Sequence, residues 1–247
     1  GKVDAISMQA FKSASQAAGR KPSAMPKSGP TLDDLTLDSH VRTEVQSLLY
    51  RLTNWESVAS RGGEVPSGVL LYGPPGTGKT QLVKSMAMAL KVWHVFEVSA
   101  TDVIKDPSKF RDVVQQASDH RPAFVFIDEA DELLKDRSQS MSSGATNEIL
   151  KAMDGMMGRV PEVVFIAATN NPDAIDAAAL RGGRFAEKIY VPKLSGNDLQ
   201  SLFAKEMNKR PKNTFDKHVT PAALVELVGE LAPADALSWM KKAVNYS

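Results

Sequence analysis

The stretch Gly73-Pro74-Pro75-Gly76-Thr77-Gly78-Lys79-Thr80 follows an apolar β-type run, Gly68–Tyr72, and precedes a segment of helical period. Its spacing is G-x-x-x-x-G-K-[ST], a strand-to-helix turn built around a phosphate. The glycines let backbone N–H groups converge on an anion, and the helix that follows turns its positive end to the same group. Lys79 supplies a mobile cation for β- and γ-phosphates, the Thr80 hydroxyl is a hard ligand suited to Mg²⁺, and Gln81 stands behind them at the start of the helix. The bland alternative is a Gly-rich turn carrying a surface lysine. The strand before the loop and the helix after it weigh against that alternative.

Around this loop the chain alternates short apolar runs with stretches long enough for helices. Runs at Gly68–Tyr72, 93–98, Ala123–Ile127, 163–168 and 188–191 predict a parallel sheet with crossover helices. Continuous runs such as Phe124-Val125-Phe126-Ile127 fit strands covered on both faces. After Pro192 the pattern predicts helices alone, over 199–207, Pro221–Val228 and 234–244, with Thr220 before Pro221 and Pro233 as start signals. The expected organisation is a tail or linker at 1–30, rich in Ser, Ala, Lys, Gly and Pro, an α/β domain at 31–192 and a small helical domain at 193–247.

A second element bears on hydrolysis. Phe124-Val125-Phe126-Ile127-Asp128-Glu129 is an apolar strand ending in two carboxylates, which therefore emerge at the carboxyl edge of the sheet, where open α/β folds bind ligands. Asp128 is placed to hold magnesium through its water shell, and Glu129 to orient or deprotonate an attacking water. Alone, the pair could equally cap the next helix.

Together these motifs, with Ala167-Ala168-Thr169-Asn170-Asn171-Pro172-Asp173 and Leu180-Arg181-Gly182-Gly183-Arg184-Phe185, resemble the AAA+ ATPases. The last stretch is similar to the second region of homology of the AAA clade, which includes membrane AAA proteases, segregases, severing enzymes and membrane-protein extractors. The resemblance runs from about Thr31 to the last helix. It implies a P-loop NTPase three-layer α/β sandwich followed by a small all-helical lid domain. It also implies ATP and Mg²⁺ as cofactors, bound by Gly73, Pro74, Pro75, Gly76, Thr77, Gly78, Lys79, Thr80 and Gln81, with Thr80 and Asp128 toward the metal. Asn170 then corresponds to the polar sensor of the attacking water, although a strand-end Asn can also simply turn the chain with Pro172. Arg181 and Arg184 match the paired arginines that reach a neighbour's γ-phosphate; otherwise they are salt-bridging residues of a Gly-rich loop. Sites completed in trans imply a homo-oligomeric ring, usually a hexamer, acting on a protein substrate whose identity the sequence does not give.

This chain departs from the family pattern at several places. The segment 99–109, where most members carry an aromatic pore motif, has neither an aromatic residue nor a glycine. Val103 and Ile104 either replace that grip or pack the loop down. The Ser- and Met-rich segment 138–144 reads as a surface loop. The lead-in Leu32-Asp33-Asp34-Leu35 is followed by Thr36-Leu37 in place of the usual Gly-Gly, so Leu35 and Thr36 are the expected adenine contacts. Lys205 stands where a histidine often approaches the adenine. Ala234-Asp235-Ala236-Leu237 resembles the lid helix beside the nucleotide, and the customary final lid helix is expected to be missing. Trp55, Trp93 and Trp239, and Met86, Met88, Met153, Met156 and Met157, read as packing residues.

Composition narrows what remains. The 30 basic and 29 acidic residues leave a net charge of +1, and no basic stripe is evident, which argues against a DNA-handling machine. With no cysteine there is no disulfide and no thiolate-held metal, which points to a reducing compartment such as the cytoplasm. The four histidines are scattered, and no H-E-x-x-H occurs. No apolar run reaches the roughly 18 residues of a membrane span, so membrane contact is expected only through a segment before Gly1. Two readings stay open: a remodelling ATPase, and an ATP-gated assembly scaffold with slow turnover and no threading.

Overall fold

The computed structural model describes residues 29–135, 143–156, 162–181, 183–211 and 214–245. Most of the expected tail, Met157, Gly182 and residues 138–142 lie outside them. Five strands form one parallel sheet: β1 (Gly68–Tyr72), β2 (His94–Val98), β3 (Ala123–Ile127), β4 (Val163–Thr169) and β5 (Glu187–Tyr190), in the order β2-β3-β4-β1-β5. These are the five expected runs, shifted by at most one residue at an end.

Alternation along the strands divides the core into two layers. Val69, Leu71, Phe124, Phe126, Val164 and Ile166 face one side, against α1 (Ser39–Thr53) and α3 (Lys79–Ala89). Helix α1 buries Val41, Val45, Leu48 and Leu52, spaced 4, 3 and 4 apart, and the Asp38 side chain caps it by accepting the N–H groups of His40 and Val41. Helix α2 (Trp55–Ser60) follows and leaves Trp55 half-buried. On the other side, Leu70, Val125, Ile127 and Phe165 meet α4 (Ala100–Lys105), α5 (Ser108–Asp119), α6 (Ala130–Leu133) and α7 (Ser143–Met156). Burial on both faces explains why β3 and β4 read as unbroken apolar runs. Met86 fills one layer and Met153 the other, and Trp93 stacks on Phe124 with ring centroids 4.9 Å apart.

The segment 99–109 folds as helix. Ser99 caps α4 by accepting the Asp102 N–H, and the Asp106 carboxylate accepts the N–H and hydroxyl of Ser108. Val103 is buried in the core, whereas Ile104 is 45 % exposed, so the two neighbours divide between the alternatives.

Beyond Pro192 the strands do not stop. A two-residue antiparallel ladder pairs β6 (Leu194–Ser195) with β7 (Glu230–Leu231) among α8 (Gly196–Asn208), α9 (Pro221–Val228) and α10 (Pro233–Asn245). Gly229, at φ 68°, ends α9 and turns the chain back, and two residues are too few to show a periodicity. Thr220 caps α9 by accepting the Ala223 N–H, and Pro233 opens α10. Leu199, Leu202, Phe203, Ala236 and Met240 form a third core, with Trp239 packed against it.

Candidate active site

The loop between β1 and α3 lies where the crossovers leave the sheet in opposite directions, at its carboxyl edge. Its first glycine is fixed by crowding: a Cβ on Gly73 would stand 2.2 Å from the Val191 carbonyl oxygen of the neighbouring chain segment. Lys79 turns back over the loop. Its Nζ donates to the carbonyls of Gly73 (2.9 Å) and Pro74 (2.8 Å), and only 7 % of the residue is exposed. Thr77 Oγ1 donates to the same Pro74 carbonyl at 2.9 Å. Burial pushes the Lys79 amine below its ordinary value, and the charges of Asp128 and Asp131 oppose that shift.

Thr80 Oγ1 donates to Asp128 Oδ2 at 2.9 Å, joining the two expected metal-side oxygens. A hydroxyl beside a carboxylate is the sparse, hard donor set that suits Mg²⁺, which keeps several waters and takes the rest of its ligands from phosphate. Among the described residues no cluster of three or more His, Asp or Glu offers a different metal site.

Glu129 follows in the left-handed region, φ 50° and ψ 46°, as the residue before α6, with its N–H donating to Asp128 Oδ1 at 3.0 Å. Its side chain is exposed toward the same space. A non-glycine residue adopts this conformation only where its surroundings hold it. Asn170, just past the end of β4, is exposed there too. These groups line one cavity of about 320 Å³ together with Gly76, Gly78, Gln81, Thr169 and Ala234, a size within the range of ligand sites. Ala234 brings α10 to the rim, where its N–H donates to the Gly76 carbonyl at 3.1 Å.

Other expected residues stand apart from the cavity. Leu35 packs on the α1 side of the core, and Thr36 has a buried hydroxyl with no hydrogen-bond partner. Lys205 reaches across from α8 to donate to the Asp33 carbonyl at 3.0 Å, so it ties the lead-in to the helical unit. Arg181 is exposed, and its side chain has no ion-pair or hydrogen-bond partner among the described residues. Arg184, by contrast, is held bidentately: its Nε and terminal nitrogen donate to the two Asp154 carboxylate oxygens at 2.8 and 2.7 Å. The guanidinium holds the Asp154 carboxyl below its ordinary value. The sequence reading missed Asp154, Asp131 and Thr169, and the only signal was Asp131 lying three residues after Asp128.

A parallel sheet whose β1 opens into this loop and whose β3 ends in Asp128-Glu129 defines a P-loop nucleoside triphosphatase. The profile of the family described as "ATPase family associated with various cellular activities (AAA)" matches residues 69–193. The chain belongs to that family and carries an AAA ATPase domain. It is similar to the chloroplastic ATP-dependent zinc metalloprotease FTSH 6 of Oryza sativa subsp. japonica, at 34 % identity over 88 % of this chain and 33 % of that protein. It also resembles ATP-dependent zinc metalloprotease FtsH of Buchnera aphidicola subsp. Baizongia pistaciae, at 34 % identity over 88 % of this chain and 37 % of the relative. A third relative is the probable inactive ATP-dependent zinc metalloprotease FTSHI 2 of Arabidopsis thaliana, at 38 % identity over 62 % of this chain and 18 % of its own. The chain thus spans less than two fifths of the length of each of these relatives. No helix among the described residues is long and apolar enough to cross a membrane.

Proposed function

We propose that this chain is an Mg²⁺-dependent ATP hydrolase that works as a homo-oligomeric ring, hexameric in the first instance, to remodel, extract or unfold a protein partner. The carrying observation is that Lys79, Thr80, Asp128, Glu129 and Asn170, drawn from three separate segments, line one cavity. In this reading the backbone N–H groups of Gly73, Gly76, Thr77 and Gly78 cradle the phosphates, with Pro74 and Pro75, which have no N–H to donate, shaping the turn and Gln81 behind it. Lys79 leaves its carbonyl partners for the β- and γ-phosphate oxygens. Thr80 and Asp128 would hold magnesium, which when bound neutralises charge on the transferring phosphoryl group. Glu129 orients the attacking water and takes its proton, and Asn170 fixes that water in line with the γ-phosphate.

Leu35 and Thr36 lie on the adenine side. Arg181 and Arg184 serve a neighbour's site, where such an arginine is worth about 10³–10⁵ in rate. Their separation from their own chain's cavity supports the trans arrangement. Exposed Arg181 is available as it stands, whereas Arg184 must first leave Asp154. The Gly76–Ala234 and Asp33–Lys205 hydrogen bonds tie the α/β domain at 31–192 to the lid at 193–247, and movement of one against the other during turnover would have to remake them.

The test is steady-state ATP hydrolysis per subunit against protein concentration, with Glu129→Gln and Arg184→Ala alongside. Specific activity that rises with concentration and vanishes in both variants is the expected result. Flat, near-zero activity at concentrations where ATP is bound would overturn it. That outcome would favour the second reading, an ATP-gated scaffold that threads nothing, which the capped helix and buried Val103 in place of an aromatic pore loop support.

A further inference from the structure

Thr169 ends β4 directly before Asn170 and is 1 % exposed. Its Oγ1 donates to Asp131 Oδ1 at 2.7 Å and accepts the Asn171 N–H at 2.9 Å. A carboxylate oxygen only accepts and the Asn171 N–H only donates, so the single hydroxyl proton is committed to Asp131 while a lone pair receives the Asn171 N–H. Thr169 and Asn171 flank Asn170, and Asp131 sits in the first turn of α6, two residues after Glu129 and three after Asp128.

The position of this bond in the sheet gives it a task. β3 and β4 pair in register only as far as Ile127 and Ala167. Asp128, Glu129 and Asn170 all lie beyond that last rung, where no β3–β4 ladder bond fixes the spacing of the two strand ends. The Thr169–Asp131 hydrogen bond is the next link across the gap. It also fastens the turn in which Glu129 is held at φ 50°, a conformation its neighbours must maintain.

We propose that Asp131 and Thr169 are a positioning pair that sets Asn170 against Asp128 and Glu129. Neither reacts; the pair acts through the three residues it spaces. The proposal rests on the hydrolysis reading above, and it assigns the hydrogen bond to turnover rather than to nucleotide affinity, because that bond joins the ends of β3 and β4 and touches neither the phosphate loop nor α3; the Asp131 charge also acts on Lys79, so KM is compared in the Thr169 variants, which keep that charge.

The test measures kcat and KM for ATP, and thermal unfolding, on the full chain carrying Thr169→Val, Thr169→Ser, Asp131→Ala, Asp131→Asn, or Thr169→Val with Asp131→Ala. Thr169→Val keeps the shape and removes the donor. It is expected to lower kcat about tenfold to a hundredfold, as small misplacements at a reacting centre do, while KM stays near that of the unaltered chain. Thr169→Ser restores the hydroxyl and kcat, Asp131→Asn retains an acceptor oxygen and most of kcat, and the double variant falls no further than its worse single parent. If Thr169→Val does not fold, the comparison of Asp131→Ala with Asp131→Asn carries the same test. Unchanged kcat in Thr169→Val or Asp131→Ala, or losses that multiply in the double variant, would overturn the positioning pair alone. An unaltered chain that hydrolyses no ATP would overturn the hydrolysis reading and this proposal with it.

Discussion

Replacing Gly76 with alanine separates the contribution of the helical unit from that of the phosphate loop itself. Gly76 has φ 76°, and a Cβ there would lie 3.3 Å from the Ala234 Cβ and 3.4 Å from the Ala232 Cβ. Two costs therefore add. The left-handed backbone costs an alanine about 1–2 kcal/mol. The Ala234 contact is tighter than ordinary van der Waals packing, with Ala232 at its edge, and it strains the Ala234 N–H bond to the Gly76 carbonyl, adding about 1 kcal/mol. Gly78, at φ 92° with nothing within 4 Å of its Cβ, provides the reference, because Gly78→Ala incurs only the backbone cost. At about 2–4 °C per kcal/mol for a chain of this size, Gly76→Ala should lower the thermal midpoint by about 4–12 °C, clearly more than Gly78→Ala. In an Ala234→Gly background the excess should disappear while the Gly78→Ala effect persists. The assay is thermal unfolding of the six resulting chains. A Gly76→Ala cost that is the same with Ala234 or glycine at position 234 would refute the contact between loop and α10.

Further outcomes follow from single contacts. Removing the Thr36 hydroxyl as Thr36→Val deletes a buried oxygen that has no partner, so the chain should gain about 1 kcal/mol in chemical denaturation. Asp154→Asn weakens the bidentate hold on Arg184. The Asp154 carboxyl is depressed from its ordinary 3.8, so its contribution to stability is complete above that value and is lost as pH falls through the lower folded value; the stability gap between the two chains should therefore close in acid titration below pH 3.8. Lys79→Met should abolish binding of a fluorescent ATP analogue, whereas Glu129→Gln should bind it and fail to turn over. The difference would be read by titration and phosphate release on the same samples.

The sheet was legible because its three central strands, β1, β3 and β4, are buried on both faces or nearly so, and such strands have to be written as apolar runs. β3 and β4 show this most directly, and the turn chemistry around Gly73–Thr80 marks where β1 ends. The residues within the phosphate loop and at Asp128-Glu129 were legible for the same reason, since adjacency in sequence fixes their register at the strand ends. What could not be read depends on contacts between distant segments. Nothing local distinguishes Asp154 from any other helix-end carboxylate until Arg184, 30 residues away, closes on it. Thr169 looks like an ordinary strand residue until Asp131 is seen across the gap, 38 positions away. The β6–β7 ladder escaped notice because two residues carry no period, and Val103 and Ile104 diverged because a short helix sends neighbours to different environments.

The central claim is that each site is completed by an arginine from another copy of the chain, and mixing two inactive variants tests it most directly. Glu129→Gln lacks the base but keeps Arg181, and Arg181→Ala keeps the base but lacks the exposed arginine. Each alone should be nearly inactive in ATP hydrolysis. Combined and allowed to exchange subunits, they should recover a substantial share of the activity, because intact bases then meet intact arginines across subunit boundaries. A mixture no more active than its components, with the unaltered chain active under the same conditions, would contradict completion in trans.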